Sequence, residues 1–105
     1  MINAVFTVSR GFITGFTISG HSDFAEQGSD IICSYVSSAA YMTVNTITDV
    51  QHLEAEITDD DGYMEINLSH KEAKAAEVIL NGLLLHLNAL AKEYNDFINV
   101  KITEV

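Results

Sequence analysis

The chain has 105 residues, 48% of them apolar and 19% charged, which is enough for one hydrophobic core, too few for two domains, and inconsistent with disorder. Fifteen acidic residues against five basic ones give a net charge of −10, which argues against nucleic-acid binding, because neutralising phosphates needs clustered Lys and Arg. That charge suits a cationic partner or simple solubility, and the single cysteine excludes an internal disulfide and points to a reducing, cytoplasmic setting.

The opening residues alternate. Ile2, Ala4, Phe6 and Val8 share one face, and Phe12, Thr14, Phe16 and Ile18 repeat the pattern after Arg10-Gly11. This predicts a hairpin over roughly residues 2–19. No basic and apolar leader precedes it, so export is not expected. Gly20 permits a change of direction, and the polar residues 21–29 read as a loop.

A helix is expected from Ser29 or Asp30 to about Asp49, with Ser29 as N-cap and Ile32, Val36, Ala39, Ala40, Thr43 and Ile47 as its apolar stripe. The β-branched run from Thr43 to Val50 weakens its far end. Leu53, Ala55 and Ile57 then alternate with Glu54, Glu56 and Thr58 as a half-buried strand. Asp59-Asp60-Asp61-Gly62 forms a hairpin turn and lacks the ligand spacing of a calcium loop. Met64, Ile66 and Leu68 face inward on the return strand.

Ser69-His70-Lys71-Glu72 matches a capping box and opens a helix running to about Tyr94. Ala73, Ala76, Leu80, Leu83, Leu84, Leu87, Leu90 and Ala91 give that helix an apolar face wide enough for a core and a dimer contact. The apolar stretch 78–91 is interrupted by Asn81, His86 and Asn88 and is too short to span a membrane. Ile98, Val100 and Ile102 close the chain as a strand. The order ββαββαβ predicts an α+β two-layer sandwich, with two helices on one face of a mixed sheet, in one domain over 1–105.

The chemistry concentrates at His21 and Cys33. A thiol near a helix N-terminus is activated by the helix dipole and by a neighbouring imidazole, and first-turn amides can hold an oxyanion. The plain alternatives are a cysteine that is a small core hydrophobe and a histidine that is merely solvated. Asp30 either orients His21 or favours the helix N-terminus as an acid, and Ser37, one turn beyond Cys33, either reaches the site or bonds back to a helix carbonyl. His21, Asp23, Cys33, His52, His70 and His86 show no paired ligand spacing, so no metal or other cofactor is expected.

With Gly20-His21, Gly28, Asp30-Ile31-Ile32-Cys33 and Val36-Ser37 in place, the chain resembles the bacterial ribosomal-processing cysteine protease family along essentially its whole length. The resemblance implies an endopeptidase that removes the N-terminal extension of large-ribosomal-subunit protein twenty-seven. The cut follows an aromatic residue and exposes a basic mature end. It implies Cys33 as nucleophile and His21 as base, with Asp30 and Ser37 as supporting residues. It further implies a mobile loop Ser22-Asp23-Phe24-Ala25-Glu26-Gln27-Gly28-Ser29 over the site and a homodimer. Ser34 and Tyr35 stand where family members often carry alanines, and Tyr35 either rims a substrate groove or packs between elements. The rival readings are a non-catalytic module that binds a ribosomal protein during assembly and a redox-sensing thiol.

Overall fold

The computed structural model describes residues 1–20 and 29–105, with Ser29 and Asp30 described by their backbone alone. Of the loop expected over residues 21–29, residues 21–28, His21 included, lie outside the described residues. Strands β1 (Ile2–Ser9), β2 (Phe12–Ser19), β3 (Glu56–Asp60), β4 (Tyr63–Asn67) and β5 (Ile98–Glu104) form one sheet in the order β3-β4-β2-β1-β5. Helices α1 (Ser29–Asn45), α2 (His70–Ala75) and α3 (Glu77–Glu93) follow the expected positions, and a π-helical turn at Thr46–Val50 extends α1. Strand β1 pairs antiparallel with β2 and parallel with β5, which makes the sheet mixed. Buried residues of the strands and all three helices join one core cluster, so the α+β sandwich and its element order are as expected.

The first hairpin turns at Arg10 and Gly11, whose φ angles of 53° and 82° are the pair of positive values that a two-residue turn matched to strand twist requires. Its register then departs from simple alternation. Thr7 pairs with Gly15 but Val8 pairs with Ile13, so Thr14 is an extra residue on β2. This bulge changes the parity of the strand beyond it, and Ile13 enters the core in place of Phe12 and Thr14. Phe12 is covered instead by α2, where the His70 ring meets it edge-on at 5.5 Å and Lys74 Nζ lies 5.7 Å from its centroid.

Residues 53–58 depart further. Leu53 and Ala55 are partly buried but precede the strand, and all five residues of β3 are exposed. The Leu53 amide is tied to the Ile47 carbonyl at 2.9 Å, and His52, at φ 56°, redirects the chain before β3 begins. Pairing runs through Asp60 and Tyr63, so Asp61-Gly62 alone makes the turn. Met64, Ile66 and Leu68 are buried on the return, as expected.

The π turn follows from the β-branched run. Thr43, Thr46 and Thr48 donate their hydroxyls to the carbonyls of Ala39, Met42 and Val44 at 2.9, 2.7 and 3.1 Å, sharing acceptors that the regular ladder would use. The helix expected from Ser69 to Tyr94 is capped as expected, with Ser69 Oγ accepting from the Glu72 amide at 3.3 Å. It is nevertheless divided at Ala76 (φ −95°, ψ 8°) without a proline or glycine. The Gln51 side-chain amide reaches across from beyond the π turn and donates to the Ala75 carbonyl at 2.9 Å. That bond satisfies an acceptor at the corner where α2 gives way to α3.

Between the layers lie Phe6 and Phe16, with ring centroids 5.7 Å apart, together with Ile66, Leu80 and Leu87, all essentially without solvent exposure. Gly15 sits where β2 meets β4, and a Cβ there would collide with the Ile66 carbonyl. Gly15→Ala should therefore lower stability by about 1–3 kcal/mol, as overpacking against fixed backbone does. Gly82, inside α3 with open space around it, presents the opposite case. Gly82→Ala should raise stability by about 0.5–1 kcal/mol through the lost flexibility of the unfolded chain. Urea unfolding of both variants checks the pair, and a shift of the same sign in each would contradict the packing described.

Candidate active site

Helix α1 presents three stripes. Ile32, Val36, Ala40 and Val44, continued by Ile47 in the π turn, form the ridge buried against the sheet. One flank, Cys33, Ser37 and Tyr41, repeats every fourth residue and therefore stays on one side of the helix for two turns. The other flank, with Tyr35, Ser38, Ala39 and Met42, faces α3. Covering the sheet with the ridge thus turns the thiol sideways, along the helix, and not down into the core.

The flank that carries Cys33 opens into a cleft of about 380 Å³ at one end of the sheet. Its opposite wall is built from Ile2 at the start of β1, Ile18 and Ser19 at the end of β2, and the tip of the β3–β4 hairpin from Asp59 to Met64. Cys33 is a free, half-buried thiol packed against the core on one side and bordering the cleft on the other. It is the fifth residue of α1, at the end of the first turn. The amides of that turn have no partner within the helix, and the aligned peptide dipoles place partial positive charge there.

His21 lies outside the described residues, but the residue bonded to it does not. Gly20 leaves β2 at φ 82°, and its amide donates to the Gly62 carbonyl at 3.2 Å, on the turn that walls the cleft. A Cβ at Gly20 would press on the Met1 carbonyl, so the positive φ and the close approach both select glycine. Ser37 lines the same cleft one turn beyond Cys33. The Asp30 side chain, the Ser29 cap and the segment 22–28 lie outside the described residues.

The acidic run from Asp59 is more than the turn it was expected to be. Asp59, Asp60 and Asp61 line the cleft together with Cys33. Tyr41 Oη donates to both carboxylate oxygens of Asp59 at 3.0 Å, joining α1 to β3. The bond to Asp59, with lesser effects of burial and of the same carboxylate's charge, raises the Tyr41 pKa above that of a free phenol. Tyr63 borders the cleft as well and donates to Glu65 at 3.1 Å, and burial followed by that bond raises its pKa in the same direction. Sequence reasoning missed Tyr41 and Asp59. The spacing of Cys33, Ser37 and Tyr41 was the available signal for the first, while the approach of the hairpin to α1 has no local signature.

Tyr35 does not line this cleft. It is 45% exposed on the other flank, with its ring centroid 6.3 Å from that of Tyr94, in a groove of about 760 Å³ between α1 and α3. His52 and His86 are exposed, and His70 opens α2 with its Nδ1 buried and without a hydrogen-bond partner. Among the described residues, no three of His, Cys, Asp and Glu converge to hold a metal ion. No helix among them is long and apolar enough to cross a membrane.

Comparison with known proteins agrees with this architecture. Residues 1–99 match the sequence model of the family described as cysteine protease Prp. The ribosomal processing cysteine protease Prp of Staphylococcus aureus is 31% identical over 103 residues, covering 95% of this chain and 97% of that protein. Its structure in complex with a substrate peptide superposes with a TM-score of 0.89 at 29% identity, covering 98% of this chain and all of that one. A second S. aureus Prp structure, with a covalently linked product peptide, gives a TM-score of 0.86 at 30% identity over the same share of this chain. The half-buried thiol bordering a peptide-sized cleft thus stands in a chain that belongs to the Prp family of cysteine proteases.

Proposed function

We propose that this chain is a single-domain cysteine endopeptidase that removes the N-terminal extension of large-ribosomal-subunit protein twenty-seven during ribosome assembly in the cytoplasm. The observation that carries the reading is Cys33 itself, half-buried at the end of the first turn of α1 and bordering the cleft. A cysteine that was only a small core hydrophobe would have no need of that cleft. The relatives named as ribosomal processing proteases supply the substrate class, and the net charge of −10 suits a product that begins with a basic segment.

In this mechanism the Cys33 thiolate attacks the carbonyl carbon of the scissile bond. The oxyanion of the tetrahedral intermediate accepts hydrogen bonds from amides of the first turn of α1. His21, supplied by the segment that follows Gly20, gives a proton to the departing amine, and the C–N bond breaks to leave a thioester on Cys33. His21 then takes a proton from water as the water attacks the thioester carbonyl. Release of the carboxylate product restores the thiolate. Asp30 and Ser37 support the site, Asp30 by orienting the imidazole and Ser37 from the cleft wall. Residues 22–29 order over the bound peptide. Neither metal nor cofactor takes part, and nucleic acid and membrane are not partners.

The chain acts as a homodimer. Support comes from the groove between α1 and α3, bordered by Tyr35, Met42, Ile79, Leu90 and Tyr94. Sedimentation should give twice the chain mass, and Met42→Lys, which places a charge in that groove, should shift the protein toward the monomer.

The activity is tested with a peptide spanning the extension and the mature start of the ribosomal protein. Mass spectrometry should find a single cut after the aromatic residue, absent with Cys33→Ala, and His21→Ala should slow cleavage by about 10²-fold or more. Binding by parent and Cys33→Ala alike, with no cut by either, would establish the non-catalytic assembly module instead. Peroxide-dependent modification of Cys33 without proteolysis would establish a redox thiol.

A further inference from the structure

The cleft has an unusual end. Along α1 its lining runs from Cys33 through Val36, Ser37 and Ala40 and stops at Tyr41, and along the opposite wall β3 contributes nothing before Asp59. The two terminal residues are the two that are joined, Tyr41 Oη to both oxygens of Asp59 at 3.0 Å. Eight residues of helix separate Cys33 from Tyr41, a rise of about 12 Å. An extended chain advances roughly 3.3 Å per residue, so the space between thiol and bridge holds about three to four residues of bound peptide.

Asp59 stands at an unusual register position. It lies opposite Met64, two residues beyond Ile57, which lies opposite Ile66, and Met64 and Ile66 are buried. Asp59 is therefore a charged residue on the sheet face that carries the helices, at an exposed edge strand. The one apolar residue of β3 on that face, Ile57, is itself 41% exposed. The Tyr41 bond supplies a link between β3 and α1, and so between the turn that walls the cleft and the helix that bears the thiol.

We infer that Tyr41 and Asp59 form a bridge that closes the far end of the substrate cleft and holds its two walls at the spacing the bound peptide requires. They are positioning residues for cleavage. Tyr41 acts through Asp59 by fixing the β3–β4 turn, and neither touches the reacting atoms. This inference rests on the proteolytic function proposed above and adds what sets the reach of its cleft.

The test follows steady-state cleavage of the extension peptide by the parent, Tyr41→Phe, Asp59→Ala, Asp59→Asn and the double variant Tyr41→Phe/Asp59→Ala. Alkylation of Cys33 by iodoacetamide is measured in each. Loss of the bridge should raise KM by about fivefold in Tyr41→Phe and in Asp59→Ala while leaving kcat within about twofold, the effect of one hydrogen bond on binding. The double variant should resemble either single one, because both remove the same bond. Asp59→Asn, whose amide oxygen still accepts from the phenol, should recover most of the loss. Alkylation rates should match the parent throughout.

Parental KM in Tyr41→Phe would overturn the inference. So would losses that add in the double variant, or slower alkylation, which would place the effect on the thiol. Equal losses in Asp59→Asn and Asp59→Ala with a parental Tyr41→Phe would assign the role to the carboxylate charge and overturn the bridge. Failure of the proposed function looks different: the parent itself cuts no peptide although Cys33 alkylates, and the inference then falls with it.

Discussion

The burial of one ridge of α1 against the sheet decides where everything else in the site stands. Ile32, Val36, Ala40 and Val44 enter the core, and each helical residue is rotated by about 100° from the one before it. Cys33 follows Ile32 and must therefore emerge on the shoulder of the helix, neither hidden in the core nor free in solvent. Ser37 and Tyr41 share that shoulder because they repeat at intervals of four. Rotating the helix to bury the thiol would expose Ile32 and Val36 to water. The apolar transfer energy that holds α1 on the sheet thus also holds the thiol at the cleft.

The second wall depends on a different constraint, the pairing of β4 beside β2. Gly15 allows the two strands to approach where any side chain would meet the Ile66 carbonyl. With that approach made, the β3–β4 turn is carried to the same end of the sheet as the last residues of β2, and Gly20 bonds to Gly62 there. Helix, strand end and turn converge on one cleft although 29 to 62 is a long stretch of chain. Activity and substrate class are then set by which side chains this scaffold brings to the rim. Fold alone does not determine chemistry.

Two of the departures from simple sequence patterns come with partners distant in the chain, and the third with a turn built from near neighbours. The helix division at Ala76 falls in a sequence with no local helix breaker, and the Gln51 amide on the Ala75 carbonyl is the long-range contact found there. The core role of Ile13 in place of Phe12 depends on a bulge set by pairing with β1 and on α2, which offers Phe12 another cover. Leu53 and Ala55 alternate as a strand does, yet His52 and the π turn hold the chain out of the sheet until Glu56. In each case a local periodicity was real and a competing contact, near or distant in the chain, accompanied the departure from it.

Element order, the faces of α1 and α3, the Arg10-Gly11 turn, the place of a second hairpin within Asp59–Gly62 and the Ser69 cap were legible in the sequence, because these depend on spacing and on backbone preferences within a few residues. The sequence also carried the Gly-His and Asp-Ile-Ile-Cys segments by which the chain resembles its family. That Asp59 meets Tyr41, that the acidic hairpin end walls the cleft of Cys33, and that Tyr35 lies on the opposite flank beside Tyr94 depends on how the elements pack. Those contacts join residues far apart in the chain. Their partners are selected by how the sheet and helices pack, a cooperative outcome that no short window of sequence contains.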